Sequence, residues 1–249
     1  MVPRRNRFPV ILHSHGWSCD RRFNSQRAEA LASHGYIVAA VDHEDCHATV
    51  FPDARGTRYV APGSRTDAAL LTSRVKDLQC LLGGLAEIDN SDPLLAGRLD
   101  LARIGVMGFS LGGGTAAELC RVDDRVKCAA LLDGFPLFSS GYYPELNKSG
   151  LQKPLLAMNR TILDHSLGDA SSDSGHLYAL AKQDDVWLKV ANTGHFAFSD
   201  CAWAVELTLN GRQGATAINA CVAWFFDTYL KGETAPFPAD PELLEVQRK

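Results

Sequence analysis

The chain has 249 residues, 46% of them apolar, which suffices for one of the larger α/β domains with a sizeable core and argues against long disorder. Its formal net charge is −4 and no run of Lys or Arg exceeds two, which argues against a nucleic-acid partner. No window approaches about 18 consecutive apolar residues, so no membrane-spanning helix is expected.

In chain order, the basic start Met1–Arg7 is followed only by Phe8 to Leu12, too short for a secretory hydrophobic segment. Val10 to His15, ending at Gly16, has the apolar run of a central parallel strand. Asn24 to His34 carries helix formers and stops at Gly35, a favoured residue just past a helix end. Tyr36 to Val41 is the next buried strand, and Asp42 to Gly63 is a polar loop long enough to suggest function. Asp67 to Glu87 has apolar residues at 68, 71, 75, 78, 82 and 85, a helical spacing. Arg103 to Met107 is a buried strand, and Gly113 to Cys120 begins a helix with small residues. Strands are expected at Val126–Leu132, Pro154–Met158 and Val186–Val190, helices at Gly175–Lys182 and Ala215–Leu230. The final 18 residues hold four prolines or glycines and are expected as a surface tail. Alternating strands and helices mean a doubly wound, mostly parallel α/β sheet. It is expected as a single domain over 1–249, with 1–8 as an N-terminal extension and 232–249 as the tail.

Ligands of such sheets sit at the carboxyl ends of the strands. The chemically interesting residues fall there: His13–Trp17, Asp42–Glu44, Ser110, Asp133, Asn159–Arg160 and Thr193–His195. Between the strand ending at Met107 and the small-residue helix lies Gly108-Phe109-Ser110-Leu111-Gly112. A serine in so sharp a strand-to-helix turn is pushed out of the sheet as a nucleophile, and the flanking glycines remove colliding Cβ atoms. The Leu111 N–H at the helix start is then a candidate oxyanion donor.

A serine hydroxyl needs a base, and the base a carboxylate to orient it. In the strand-turn-helix arrangement the histidine follows the serine, which leaves His165, His176 and His195. His195 follows a strand and Asn192-Thr193-Gly194, the loop position expected of the base; His165 lies in a polar loop and His176 near a helix start. For the acid, Asp133 closes the strand after the serine's helix, while Asp164 and Asp169 follow the next strand; Asp133 is favoured, with Asp164 the alternative. Trp17 would supply the second oxyanion N–H, the other reading being a core tryptophan behind a turn. Phe135, Phe138, Tyr142 and Tyr143 are candidates for pocket lining or for plain packing.

Asp42, His43, Glu44, Asp45, Cys46 and His47, with His13 and His15, offer many metal-ligand atoms. Adjacent ligands on one loop rarely converge on one ion, so no metal is expected. The seven cysteines (19, 46, 80, 120, 128, 201 and 221) are odd in number and lack C-x-x-C pairs. They are expected as reduced thiols of a cytoplasmic protein.

His13-Ser14-His15-Gly16, Leu31 to His43, Gly108 to Gly113, Leu131 to Pro136 and Pro154-Leu155-Leu156 resemble the platelet-activating factor acetylhydrolases of the plasma and type II kind. The resemblance covers most of residues 8 to 200; dienelactone-hydrolase-like and polyester-hydrolase-like enzymes share the serine turn but less of the rest. It implies an α/β-hydrolase fold, here without the leading antiparallel strands. It implies a Ser110–His195–Asp133 triad with Asp133 as the acid, and Trp17 and Leu111 as oxyanion donors. It further implies a serine esterase of small-molecule esters with no cofactor. Trp17 stands where the family has a smaller aliphatic residue, and the family's lipoprotein-binding helices have no counterpart, so short acyl esters are expected rather than phospholipids. Lactones and polyesters are the alternative substrates, and a hydrolase-fold receptor that binds without turnover is the non-enzyme alternative. The sequence carries no signal for oligomeric state.

Overall fold

The computed structural model describes residues 6–51, 56–59, 68–134, 142–162, 170–181, 185–201 and 209–249. In chain order come β1 (Phe8–Ser14), α1 (Ser25–Ser33), β2 (Ile37–Ala40), β3 (Ala48–Val50), β4 (Thr57–Tyr59), α2 (Ala68–Ser91), β5 (Leu99–Phe109) and α3 (Leu111–Val122). There follow β6 (Val126–Leu132), α4 (Pro144–Ser149), β7 (Leu155–Arg160), α5 (Ala170–Leu180), β8 (Val186–Val190), α6 (Leu209–Phe226) and β9 (Leu244–Arg248).

Seven strands form one sheet in the order β2-β1-β5-β6-β7-β8-β9. The first six run parallel, and β9 closes the edge antiparallel to β8. Alternation along each strand divides the core in two. Val10, Leu12 and Val106 pack with Val75, Leu78 and Leu82 of α2 and Leu119 of α3. Ile11, Met107 and Phe109 pack on the other face with Ile218, Val222 and Phe225 of α6. Helices on both faces explain why the central strands are apolar throughout rather than alternating with polar residues. Parallel strands also bring six carboxyl ends to one rim, so the residues after Ser14, Ala40, Phe109, Leu132, Arg160 and Val190 gather there.

The expected strands and helices are found, with shifted ends, and the fold is the expected mostly parallel α/β-hydrolase sheet. Phe8, assigned above to an extension, already begins β1. The helix expected over 175–182 begins at Ala170, and the one expected from Ala215 begins at Leu209 and passes at its end into a π-turn, Asp227–Lys231. Within the described part of the polar loop 42–63, β3 and β4 form a small hairpin of their own. The last residues are not a surface tail. Leu244–Arg248 is the sheet's edge strand, with Leu244 buried and Arg248 lying over the Trp224 and Phe237 rings. Pro236, Pro238 and Pro241 all precede this strand, so no ladder N–H is lost to them.

Candidate active site

β5 passes into α3 through a single residue, and that residue is Ser110, with φ 54° and ψ −123°. A non-glycine residue in this region costs on the order of 1–3 kcal/mol and persists only where its surroundings determine it. Here they do. The Ser110 N–H donates to the Leu132 carbonyl of β6 (3.0 Å), and its own carbonyl accepts from the Gly113 N–H (2.9 Å). A Cβ on Gly108 would lie 2.0 Å from the Gly112 carbonyl oxygen, and one on Gly112 would lie 2.1 Å from that of Ser14. Glycine at both sites is therefore a steric requirement of the turn. The result is a half-buried hydroxyl at the positive end of α3, beside the Leu111 N–H, which has no hydrogen-bond partner among the described residues.

Asp133 leaves β6 with φ 44° and is fully buried. Its Oδ2 accepts from Nδ1 of His195 at 2.5 Å and from Nη1 of Arg160, while Oδ1 accepts from the Arg160 N–H (3.2 Å) and from Nδ2 of Asn159 (3.4 Å). The Trp187 indole N–H donates to Oδ1 of Asn159 (2.9 Å), which fixes that amide with its NH₂ toward the carboxylate. Burial pushes the Asp133 carboxyl upward, but hydrogen bonding and charge from His195, joined by Arg160, outweigh it and hold the group below the usual carboxylate range.

His195 opens a short 3-10 turn, His195–Phe198, after extended Gly194. Its ring stacks on Phe109 (centroids 4.7 Å apart, planes at 29°) and meets the edge of Phe196. Because Phe109 immediately precedes Ser110, this stack sets the imidazole beside the serine turn. With Nδ1 held by the carboxylate, Nε2 is the ring nitrogen on the opposite side. Of the other candidate histidines, His176 is turned toward the Asn147 carbonyl (2.8 Å) on another part of the surface. His165, Asp164, Asp169, Phe135 and Phe138 lie outside the described residues.

Gly16 also packs against the serine turn: a Cβ there would lie 2.9 Å from the Phe109 ring and 3.3 Å from Cβ of Ser110. Trp17 follows and is 44% exposed, so it is not a core tryptophan. Among the described residues its N–H has no partner. Of the aromatic pocket candidates, Tyr142 and Tyr143 are among the described residues. They line a cavity of about 270 Å³ with Leu71 and Val75 of α2 and Glu118 of α3, and the Tyr143 hydroxyl donates to the Leu71 carbonyl (3.4 Å). Tyr143, left-handed (φ 49°), precedes Pro144 at the start of α4.

Of the metal-ligand types, His15, Asp42 and Cys46 bring donor atoms within 4.8 Å of one another. Each is already engaged. The His15 nitrogens are hydrogen-bonded to the Gly16 carbonyl and the His43 N–H, the Asp42 carboxylate receives the Arg21 N–H and guanidinium, and the Cys46 thiol donates to the Ala48 carbonyl. His13 faces the Asn24 amide (3.2 Å). The sequence named Arg160 but gave it no role beside the acid. Its place at a strand's carboxyl end was visible, its pairing with Asp133 was not.

The fold is that of an α/β-hydrolase. A solved ferulic acid esterase from Streptomyces cinnamoneus matches with a TM-score of 0.78 at 28% identity, over 99% of this chain and 75% of that one. Within the superfamily the chain is similar to the platelet-activating factor acetylhydrolases. Residues 1–58 match the family model for platelet-activating factor acetylhydrolase, isoform II. The platelet-activating factor acetylhydrolase of Cavia porcellus is 31% identical over 61% of this chain, and that of Bos taurus is 27% identical over the same share. The matched region spans 40% of the length of each of these two curated relatives.

Proposed function

We propose that this protein is a serine carboxylic-ester hydrolase acting on short acyl esters. Ser110 is the nucleophile, His195 the general base and acid, and Asp133 the carboxylate that orients it. Nε2 of His195 takes the hydroxyl proton as Oγ of Ser110 adds to the ester carbonyl, and the Trp17 and Leu111 N–H groups hold the resulting oxyanion. Collapse of the intermediate breaks the ester C–O bond, and His195 returns the proton to the leaving alcohol. Water, deprotonated by the same imidazole, then hydrolyses the acyl-enzyme to release the acid and restore Ser110. Asp133 keeps the Nδ1–H tautomer and stabilises the imidazolium formed in both steps.

The observation that carries this reading is the 2.5 Å contact between His195 and Asp133, with the imidazole stacked on the residue just before the strained serine. The names of the relatives support ester hydrolysis as the reaction class. A second reading, esters of aromatic acids, is favoured by the match to the ferulic acid esterase across 99% of this chain. Turnover of p-nitrophenyl acetate, of its longer-acyl homologues and of methyl ferulate tests both. Expected is highest kcat/KM on the acetate, with Ser110→Ala reducing it by at least about 10³-fold. Equal turnover by wild type and Ser110→Ala would contradict the mechanism, and a preference for the ferulate would favour the second reading.

A further inference from the structure

We infer that His15 is a positioning residue for the oxyanion site: its ring fixes the Gly16–Trp17 peptide so that the Trp17 N–H is presented to the reacting carbonyl. The inference rests on the esterase reading and adds the device that aims one of its two donors.

The Gly16 carbonyl and the Trp17 N–H belong to one planar trans peptide and therefore point in opposite directions. Whatever holds the Gly16 oxygen aims the Trp17 hydrogen. That oxygen accepts from Nδ1 of His15 (2.7 Å) and, across the turn, from the Cys19 N–H (3.2 Å). A carbonyl only accepts, so Nδ1 of His15 carries the proton. The other ring nitrogen, Nε2, accepts the His43 N–H (3.0 Å) and must present a lone pair. The two contacts admit one tautomer, neutral with hydrogen on Nδ1. A second proton would set Nε2–H against the His43 N–H. In agreement, burial and then the Arg74 charge lower the His15 imidazole to about 4.

The rest of the loop is tied to the same buried network. Arg74 donates to the His15 carbonyl and clamps both oxygens of Asp45 (2.5 and 2.7 Å), while Asp45 accepts the Ser18 N–H (3.3 Å). His43 is itself held by Ser14 Oγ at Nε2 (2.9 Å) and by Asp77 at Nδ1 (2.8 Å), a second Ser–His–Asp array. Ser14 is 0% exposed and His43 only 1%, so no substrate reaches that serine. What the array does is hold the His43 backbone N–H against the His15 ring.

The test uses the turn's own geometry. Trp17 is the second residue of the Gly16–Cys19 turn and Ser18 the third, with φ 56°; proline is favoured at the second position of such a turn. Trp17→Pro thus removes the N–H while suiting the turn, and Trp17→Ala measures the indole's share. On p-nitrophenyl acetate, His15→Leu is expected to lower kcat by about 10²-fold with KM within about threefold. His15→Asn, whose amide N–H stands in for Nδ1–H, is expected to stay within about tenfold of wild type, and in a Trp17→Pro background His15→Leu should cost less than about threefold more. If His15→Leu does not fold, His15→Gln, whose amide reaches past the Gly16 oxygen, takes its place. Additive losses in the double variant, a loss confined to KM, or His15→Asn as poor as His15→Leu would overturn the positioning role while the esterase reading stands. A wild type that turns over no ester at all would overturn both.

Discussion

Asp133 is the residue on which most depends, because one buried carboxylate serves an imidazole and a guanidinium together. Removing one member of a buried ion pair leaves the other desolvated and typically costs about 3–5 kcal/mol. Asp133 would retain His195, Asn159 and the Arg160 backbone N–H, so Arg160→Leu is expected near the lower end, about 3 kcal/mol in urea unfolding. A loss below about 1 kcal/mol would show that the guanidinium contributes little to the pair. Reading the sequence reached Asp133 because two apolar residues led into it and a glycine followed. It could not reach the pairing with Arg160, which closes across 27 residues and depends on β6 and β7 lying side by side. The His15 contact to Gly16 is between neighbours in sequence, yet it too was illegible. Its meaning lies in the ring orientation, which His43 sets from 28 residues away.

Among the elements, those with strong apolar periodicity were legible. α2 buries Leu71, Val75, Leu78, Leu82 and Leu85 as the spacing predicted, and β1 after Phe8 and β5 from Ile104 to Phe109 are buried throughout. The serine turn was legible for a different reason. A strand, a serine between glycines and a small-residue helix are jointly required when α3 must dock its first turn on the Ser14 carbonyl. β9 was missed because its three upstream prolines and its charged residues (Glu245, Arg248) mark solvent exposure. An antiparallel edge strand tolerates that exposure, and Leu244 alone supplies the buried anchor. Tyr142 and Tyr143, named as pocket candidates for their closeness to Asp133 in sequence, line a cavity against α2 and α3.

Across the whole molecule, the cluster behind the oxyanion loop couples stability to pH. Burial, followed by nearby cationic charge, lowers His13 to about 3 and His15 to about 4, and places His43 well below its ordinary value. A lowered histidine stays neutral in the fold while its unfolded counterpart takes up a proton below about 6.5. Its stabilising contribution is therefore complete above that pH and is lost as pH falls toward the folded value. Two carboxyls oppose this. Burial raises Asp77 to about 6 and also raises Asp200, so each gains a proton in the folded state first. The three histidines outweigh the carboxyls, so unfolding takes up net protons and stability is lost as pH falls from 6 to 5. The urea midpoint measured from pH 7.5 to 5 is expected to fall accordingly; a flat or rising midpoint would mean that these imidazoles are not held neutral.

The most direct measurement is intact-protein and peptide mass spectrometry after exposure to an alkyl fluorophosphonate. A single adduct on Ser110 is expected, absent in Ser110→Ala and formed at least about 10²-fold more slowly in His195→Ala. An adduct on another serine, or an unchanged rate without the imidazole, would contradict the assignment of Ser110 as a nucleophile activated by His195.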